Sequence, residues 1–163
     1  MKKLVFLRHA KSSWEYYVED FDRPLSEKGI NDINKVSLKN VSFFKKFEIF
    51  LTSPANRALH TSTILTRNVF NKYQKLSVVE ELYSFNYKNV IDYVYKLDDE
   101  FSNVVLVGHN PAFSIAAQYL SETTPPELKT SDWIMLEFEQ NDWSKINLGS
   151  YTYESKKSRN EKI

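Results

Sequence analysis

Four short, largely apolar runs, each ending in a polar corner, constrain this chain more than any other feature. Residues 4–7 (LVFL) lead into Arg8 and His9, and residues 47–51 (FEIFL) into Thr52, Ser53 and Pro54. Residues 76–79 (LSVV) lead into Glu80, and residues 103–107 (NVVLV) into Gly108, His109, Asn110 and Pro111. Such short runs, bounded by turn signals, read as strands buried on both faces. Helical stripes separate them: Ile30, Ile33, Val36 and Leu38 or Val41; Ala58, Thr61, Ile64, Leu65 and Val69; Val90, Tyr93, Val94 and Leu97; Phe113, Ala116, Ala117 and Leu120. Strands alternating with helices predict an α/β chain with a mostly parallel sheet. Two late runs, 133–138 and 145–148, read as an edge hairpin.

Turn chemistry supports this parsing. Ser26 is a predicted N-cap with Glu27 in the first turn. Ser53 offers a hydroxyl cap before Pro54, and Asn110 repeats the pattern before Pro111. A chain of 163 residues suits one domain. We expect that domain over residues 1–151, with 152–163 as a charged, flexible tail, because no apolar anchor follows Glu154 before Ile163.

A net charge of +1 provides no global field for nucleic acid or anionic lipid. The absence of cysteine excludes disulfides, thiolate metal sites and thiol nucleophiles. Two lysines and four apolar residues precede Arg8, too little for a signal-peptide core. No apolar stretch approaches a membrane span. The expectation is a cytoplasmic protein with neither nucleic-acid nor membrane partners.

In an open parallel sheet, ligands bind outside the carboxyl ends of the strands. His9 and His109 both stand there, and Arg57 lies at the corner between them in sequence. Two imidazoles and two guanidiniums suggest a phosphoryl pocket. Neutral His9 can attack phosphorus if one ring nitrogen is free and the other is held as a donor. Arg8 can fork onto phosphate oxygens. Arg57 sits in a first helical turn, where a cation opposes the helix dipole, which suits either a ligand role or a bridge to a nearby carboxylate. His109 could bind phosphate oxygens as imidazolium and stabilise charge at the pentavalent stage, its charge in the resting protein being open from sequence. Lys11, with Ser12 and Ser13, is a candidate for the phosphate rim. Asp20, Asp22 and Arg23 read as an ion-paired loop brace, Trp14, Tyr16 and Tyr17 as loop packing, and His60 as structural or partly exposed. Each corner alone also has a plain reading, such as a surface Arg-His pair or a histidine packed under a loop.

Taken together, Leu7-Arg8-His9-Ala10, Thr52-Ser53-Pro54-Ala55-Asn56-Arg57-Ala58-Leu59-His60-Thr61 and Val107-Gly108-His109-Asn110-Pro111 resemble the histidine phosphatase superfamily. Residues 8–14 (RHAKSSW), followed by 20–26 (DFDRPLS) and Gly29, resemble its short SixA-type phosphohistidine phosphatases. The resemblance implies a three-layer α/β/α sandwich of the phosphoglycerate mutase-like kind. It also implies His9 as the phosphorylated nucleophile, with Arg8, Arg57 and His109 completing the pocket. The implied hydrolysis has two steps and uses no metal or other cofactor. Larger members carry an acid after the third strand. Here Glu81, beside Glu80, is the candidate, although the aligned position is nearer Ser84.

The leading expectation is a phosphatase acting on phosphohistidine in a protein partner of the histidine-containing phosphotransfer type. A broad phosphomonoesterase on small phosphorylated metabolites is the alternative within the same chemistry. A non-catalytic phosphoprotein-binding module is the alternative outside it. A short chain with little material for a lid favours a large substrate. So does a weak acid position, because imidazole, with a pKa of about 6.5, leaves phosphorus far more readily than an alkoxide.

Overall fold

A computed structural model describes residues 1–73 and 75–157. The four apolar runs become parallel strands: β1 (Lys2–Arg8), β2 (Ile49–Thr52), β3 (Leu76–Val78) and β4 (Asn103–Gly108). Two antiparallel strands, β5 (Trp133–Phe138) and β6 (Ser150–Glu154), extend one edge. The sheet order is β3-β2-β4-β1-β5-β6. The two histidine-bearing strands are therefore central neighbours, with β2 on the other side of β4.

Period-2 alternation sends successive apolar side chains to opposite faces. Val5, Leu7, Val105 and Val107 pack with Ile33, Phe44, Ala58 and Leu65, under α1 (Glu27–Lys39), α2 (Val41–Phe44) and α3 (Asn56–Phe70). Leu4, Phe6, Val104 and Leu106 pack with Val90, Val94, Phe113 and Ala117, under α4 (Tyr87–Val94) and α5 (Ala112–Tyr119). Helices on both faces of the sheet make the expected three layers and explain why these strands are apolar throughout. No helix among the described residues is long and apolar enough to cross a membrane.

Ser26 caps α1 as expected, its Oγ accepting from the Gly29 amide at 3.0 Å. The apolar stripe of α1 ends at Val36, because Leu38 is 62 % exposed and Val41 already begins α2. Helix α3 starts later than its turn signal suggested. Ala55 is its N-cap, and the Ser53 hydroxyl is engaged instead with the Ala55 amide and with His109.

The last strand also differs from expectation. Residues 143–145 form a 3-10 turn, since Trp143 is fully buried and its Nε1 donates to the Phe101 carbonyl at 2.8 Å. The strand falls instead at β6, whose Tyr151 and Tyr153 pack on the core. The domain thus runs past 151. Lys156 donates to Asp32 at 3.0 Å and to Thr130 at 2.9 Å, so residues 152–157 are not a free tail. Residues 158–163 of that expected tail lie outside the described residues.

Candidate active site

Strand register brings the two imidazoles together. Arg8 pairs with Gly108 across β1 and β4, so the next residue on each strand is a histidine. The ladder continues one step further, with the His9 amide donating to the Gly108 carbonyl at 3.0 Å. The ring centroids of His9 and His109 lie 5.2 Å apart. A Cβ at Gly108 would lie 2.5 Å from the Phe113 ring, so glycine here allows α5 to approach the strand end.

His9 Nδ1 lies 2.7 Å from the Ala10 carbonyl, which can only accept, so Nδ1 carries the proton. That leaves Nε2 with a lone pair, and Arg57 Nε donates to it at 3.3 Å. Thr61, one turn after Arg57 on α3, fixes this arrangement. Its Oγ1 accepts from the Ala10 amide at 3.0 Å and donates to the Arg57 carbonyl at 2.7 Å. The β1 corner and the first turn of α3 are thereby locked to each other.

His109 is fully buried. Its Nε2 lies 2.7 Å from Ser53 Oγ, and its Nδ1 has no partner among the described residues. The rings of Tyr83 and Phe85 each lie 5.5 Å from it. Burial pushes both imidazoles down to about 3. For His9 the guanidiniums of Arg57, Arg8 and Arg23 add to burial, while the Ala10 carbonyl opposes it. For His109 the neighbouring His9, Arg57 and Arg23 add, and Asp20 opposes. Burial thus favours the neutral form of His109 in the resting protein near pH 7. A dianion arriving beside it would favour the charged form.

Arg8 reaches the Leu128 carbonyl at 3.0 Å through Nη1, and its buried Nε has no partner among the described residues. Asn110 Nδ2 shares that carbonyl at 2.8 Å. Arg57 is 1 % exposed and makes the carboxylate bridge of its alternative reading: Nη1 donates to the Asp20 carbonyl at 2.6 Å and Nη2 to Asp20 Oδ2 at 3.0 Å. The expected Asp20–Arg23 brace is present at 2.9 Å, with Arg23 over the Trp14 ring at 3.8 Å. The Tyr83 hydroxyl also donates to Asp20 Oδ2, at 2.6 Å. Burial works against ionised Asp20, but hydrogen bonds from Tyr83, Arg23 and Arg57 outweigh it and hold the carboxyl below its usual range.

Lys11 and Glu81 do not join this cluster. The Lys11 side chain is exposed, and it is the Lys11 carbonyl that is engaged, accepting from the Ser26 amide and hydroxyl. Glu81 is exposed on a 3-10 turn and lines a groove with Asp92, Tyr93 and Lys96. The chain turns there so that Tyr83, not Glu81, faces the imidazoles. His60 is exposed on α3. Sequence reasoning missed the roles of Ser53, Tyr83 and Phe85 and did not name Asp20 as the carboxylate that Arg57 bridges, because each depends on contacts between distant segments. The one available signal was the position of Tyr83 beside the aligned acid.

No family model matches the chain. It is 28% identical over 153 residues to an uncharacterized chloroplastic protein of Arabidopsis thaliana, across 87% of this chain and 69% of that one. An uncharacterized protein of Mycobacterium tuberculosis is 26% identical over 132 residues, across 81% of this chain and 80% of that one. Among solved structures, the protein histidine phosphatase SixA complexed with tungstate superposes with a TM-score of 0.79 at 22% identity, covering 94% and 97% of the two chains. A candidate phosphohistidine phosphatase SixA from Agrobacterium tumefaciens gives 0.74 at 24%, covering 84% and 92%. A mycobacterial glucosyl-3-phosphoglycerate phosphatase complexed with VO3 gives 0.72 at 14%, covering 95% and 98%. The chain has the phosphoglycerate mutase-like fold of the histidine phosphatase superfamily. Within that fold its structural neighbours are SixA phosphohistidine phosphatases and phosphatases of small phosphorylated metabolites.

Proposed function

We propose that this protein is a phosphatase that removes the phosphoryl group from phosphohistidine on a protein, through a phosphorylated His9. The observation that carries this reading is the tautomer of His9: with Nδ1 tied to the Ala10 carbonyl, the lone pair of Nε2 faces Arg57 and the His109 ring.

In the first step Arg57 Nε gives up its bond to His9 Nε2, and that nitrogen forms a bond to phosphorus while the substrate's P–N bond breaks. The departing imidazole leaves neutral, its ring having taken a proton before or during cleavage. Arg8, Arg57 and His109 bear the charge on the phosphoryl oxygens. In the second step water adds to phosphorus, the P–Nε2 bond breaks, and inorganic phosphate leaves with His9 neutral again. The proton taken by the leaving imidazole comes from solvent, and the roles of nucleophile and charge stabiliser fall to His9, Arg8, Arg57 and His109.

The substrate preference follows from proton donors. An alkoxide leaving group needs an acid, whereas an imidazole leaving group is far less demanding. The carboxyl group paired with Arg57 is Asp20, and its partners hold it ionised. Tyr83 is pushed up by burial and by Asp20, and is a reluctant donor. Small phosphoesters are the second reading, which the likeness to a metabolite phosphatase keeps in play.

The test is incubation with labelled phosphohistidine protein and with a panel of phosphoesters. The expected result is an acid-labile phosphoenzyme mapped to His9 and faster release from the phosphohistidine protein. Faster cleavage of a small phosphoester would overturn the substrate assignment. A saturable complex without phosphoenzyme would make the protein a binding module.

A further inference from the structure

We infer that Asp20 is a specificity-determining residue, a resident carboxylate on Arg57 that sets the charge an incoming group must carry to enter the pocket. This rests on the phosphate-pocket reading above.

Three of the five N–H groups of Arg57 are committed: Nε to His9, one on Nη1 to the Asp20 carbonyl and one on Nη2 to the Asp20 carboxylate. Arg57 is 1 % exposed, so an incoming oxygen competes with the Asp20 carboxylate for Nη2. The carboxylate is a leaving partner by construction. Its side chain is 45 % exposed, and the 3-10 turn that carries it (Asp20–Asp22) contains no buried residue. On release from Arg57 it keeps two partners: Arg23, which holds the other oxygen at 2.9 Å, and the Tyr83 hydroxyl, which donates to Oδ2 at 2.6 Å. Arg57 meanwhile keeps its bond to the Asp20 carbonyl, so the guanidinium stays oriented while one fork opens. A phosphoryl dianion matches the paired charges of Arg8 and Arg57. A single negative charge gains little by replacing another single negative charge on the same donor.

Tungstate, a tetrahedral dianion, and perrhenate, the same shape with one charge, probe this at pH 8 by calorimetry. Asp20→Asn and Asp20→Ala are compared with the unaltered protein, with thermal melts confirming folding. Removing a competing exposed carboxylate should tighten tungstate binding by about fivefold. Perrhenate should gain at least as much. Unchanged or weaker tungstate binding in both variants would mean that Asp20 only positions Arg57, and would overturn the inference. A perrhenate affinity that stays put would overturn the charge threshold. If no protein of the set binds tungstate, the phosphate pocket itself falls, whereas equal binding by all of them removes only the role of Asp20.

Discussion

Arg57 Nε donates to His9 Nε2 at 3.3 Å, so the guanidinium rests on the nitrogen that the proposed chemistry uses. The two side chains come from segments separated by 48 residues, and Thr61 ties both to one scaffold. A phosphoryl group bound to that nitrogen would lie within reach of Arg57 from the outset. Arg57→Ala should therefore lower turnover by about 10²–10³-fold, as losing one preorganised donor does. A fall of less than about threefold in kcat/KM would put Arg57 outside the reacting pocket.

His9→Ala should abolish phosphoenzyme labelling while leaving the far-UV spectrum and folding cooperativity intact. Normal turnover in this variant would refute the nucleophile assignment.

Ser53→Ala removes the hydrogen-bond partner of His109 Nε2. A buried imidazole left without that partner should reduce stability by about 1–3 kcal/mol. Phosphoenzyme labelling at His9 should persist, because the nucleophile is held by Ala10, but kcat should fall. Unaltered kcat and stability would mean that the Ser53–His109 contact orients nothing.

Acid should destabilise the fold earlier than carboxylate titration alone explains. His9 and His109 titrate at about 3 when folded, against about 6.5 in an unfolded chain. Between these values the unfolded state binds more protons, so stability is complete above about pH 6.5 and declines as pH falls towards 3. The slope approaches about 1.4 kcal/mol per pH unit for each ring. Ionised Asp20 adds its own loss only below about pH 4. Urea midpoints measured between about pH 4.5 and 6.5 should drop, and a His9→Gln, His109→Gln double variant should flatten the curve. A flat curve for the unaltered protein would contradict the neutral, buried imidazoles.

Gly29→Ala reverses a usual sign. In a helix, alanine ordinarily gains about 1 kcal/mol over glycine. Here the added Cβ would collide with the Lys11 carbonyl oxygen and lie 2.9 Å from the Lys11 carbonyl carbon and amide nitrogen. The variant should lose about 1–3 kcal/mol, in the range of overpacking. A rise in the denaturant midpoint would show that the segment following His9 is free to move.

The strands, the helices and the histidine corners were legible because their signals are local. A buried strand must be apolar over its whole length, and a helix start must satisfy free amides, so Leu4 to Leu7 and Ser26 announce themselves. Strand β6 did not, because an edge strand is only half buried and Tyr151 and Tyr153 alternate with polar neighbours. The start of α3 departs from its turn signal for another reason: the Ser53 hydroxyl has a partner in space as well as in sequence.

Composition and local pattern alone determined the class of fold, the two imidazoles and two guanidiniums, and the brace between Asp20 and Arg23. Which strands lie side by side, and therefore which histidine meets which arginine, was decided by tertiary register, which pairs Arg8 with Gly108. The same packing gave Tyr83 the place expected of Glu81, seated Asp20 on Arg57 and stripped both rings of solvent. Charge state and partner choice in a buried cluster depend on every group that crowds it, and those groups are gathered from distant parts of the chain only by folding.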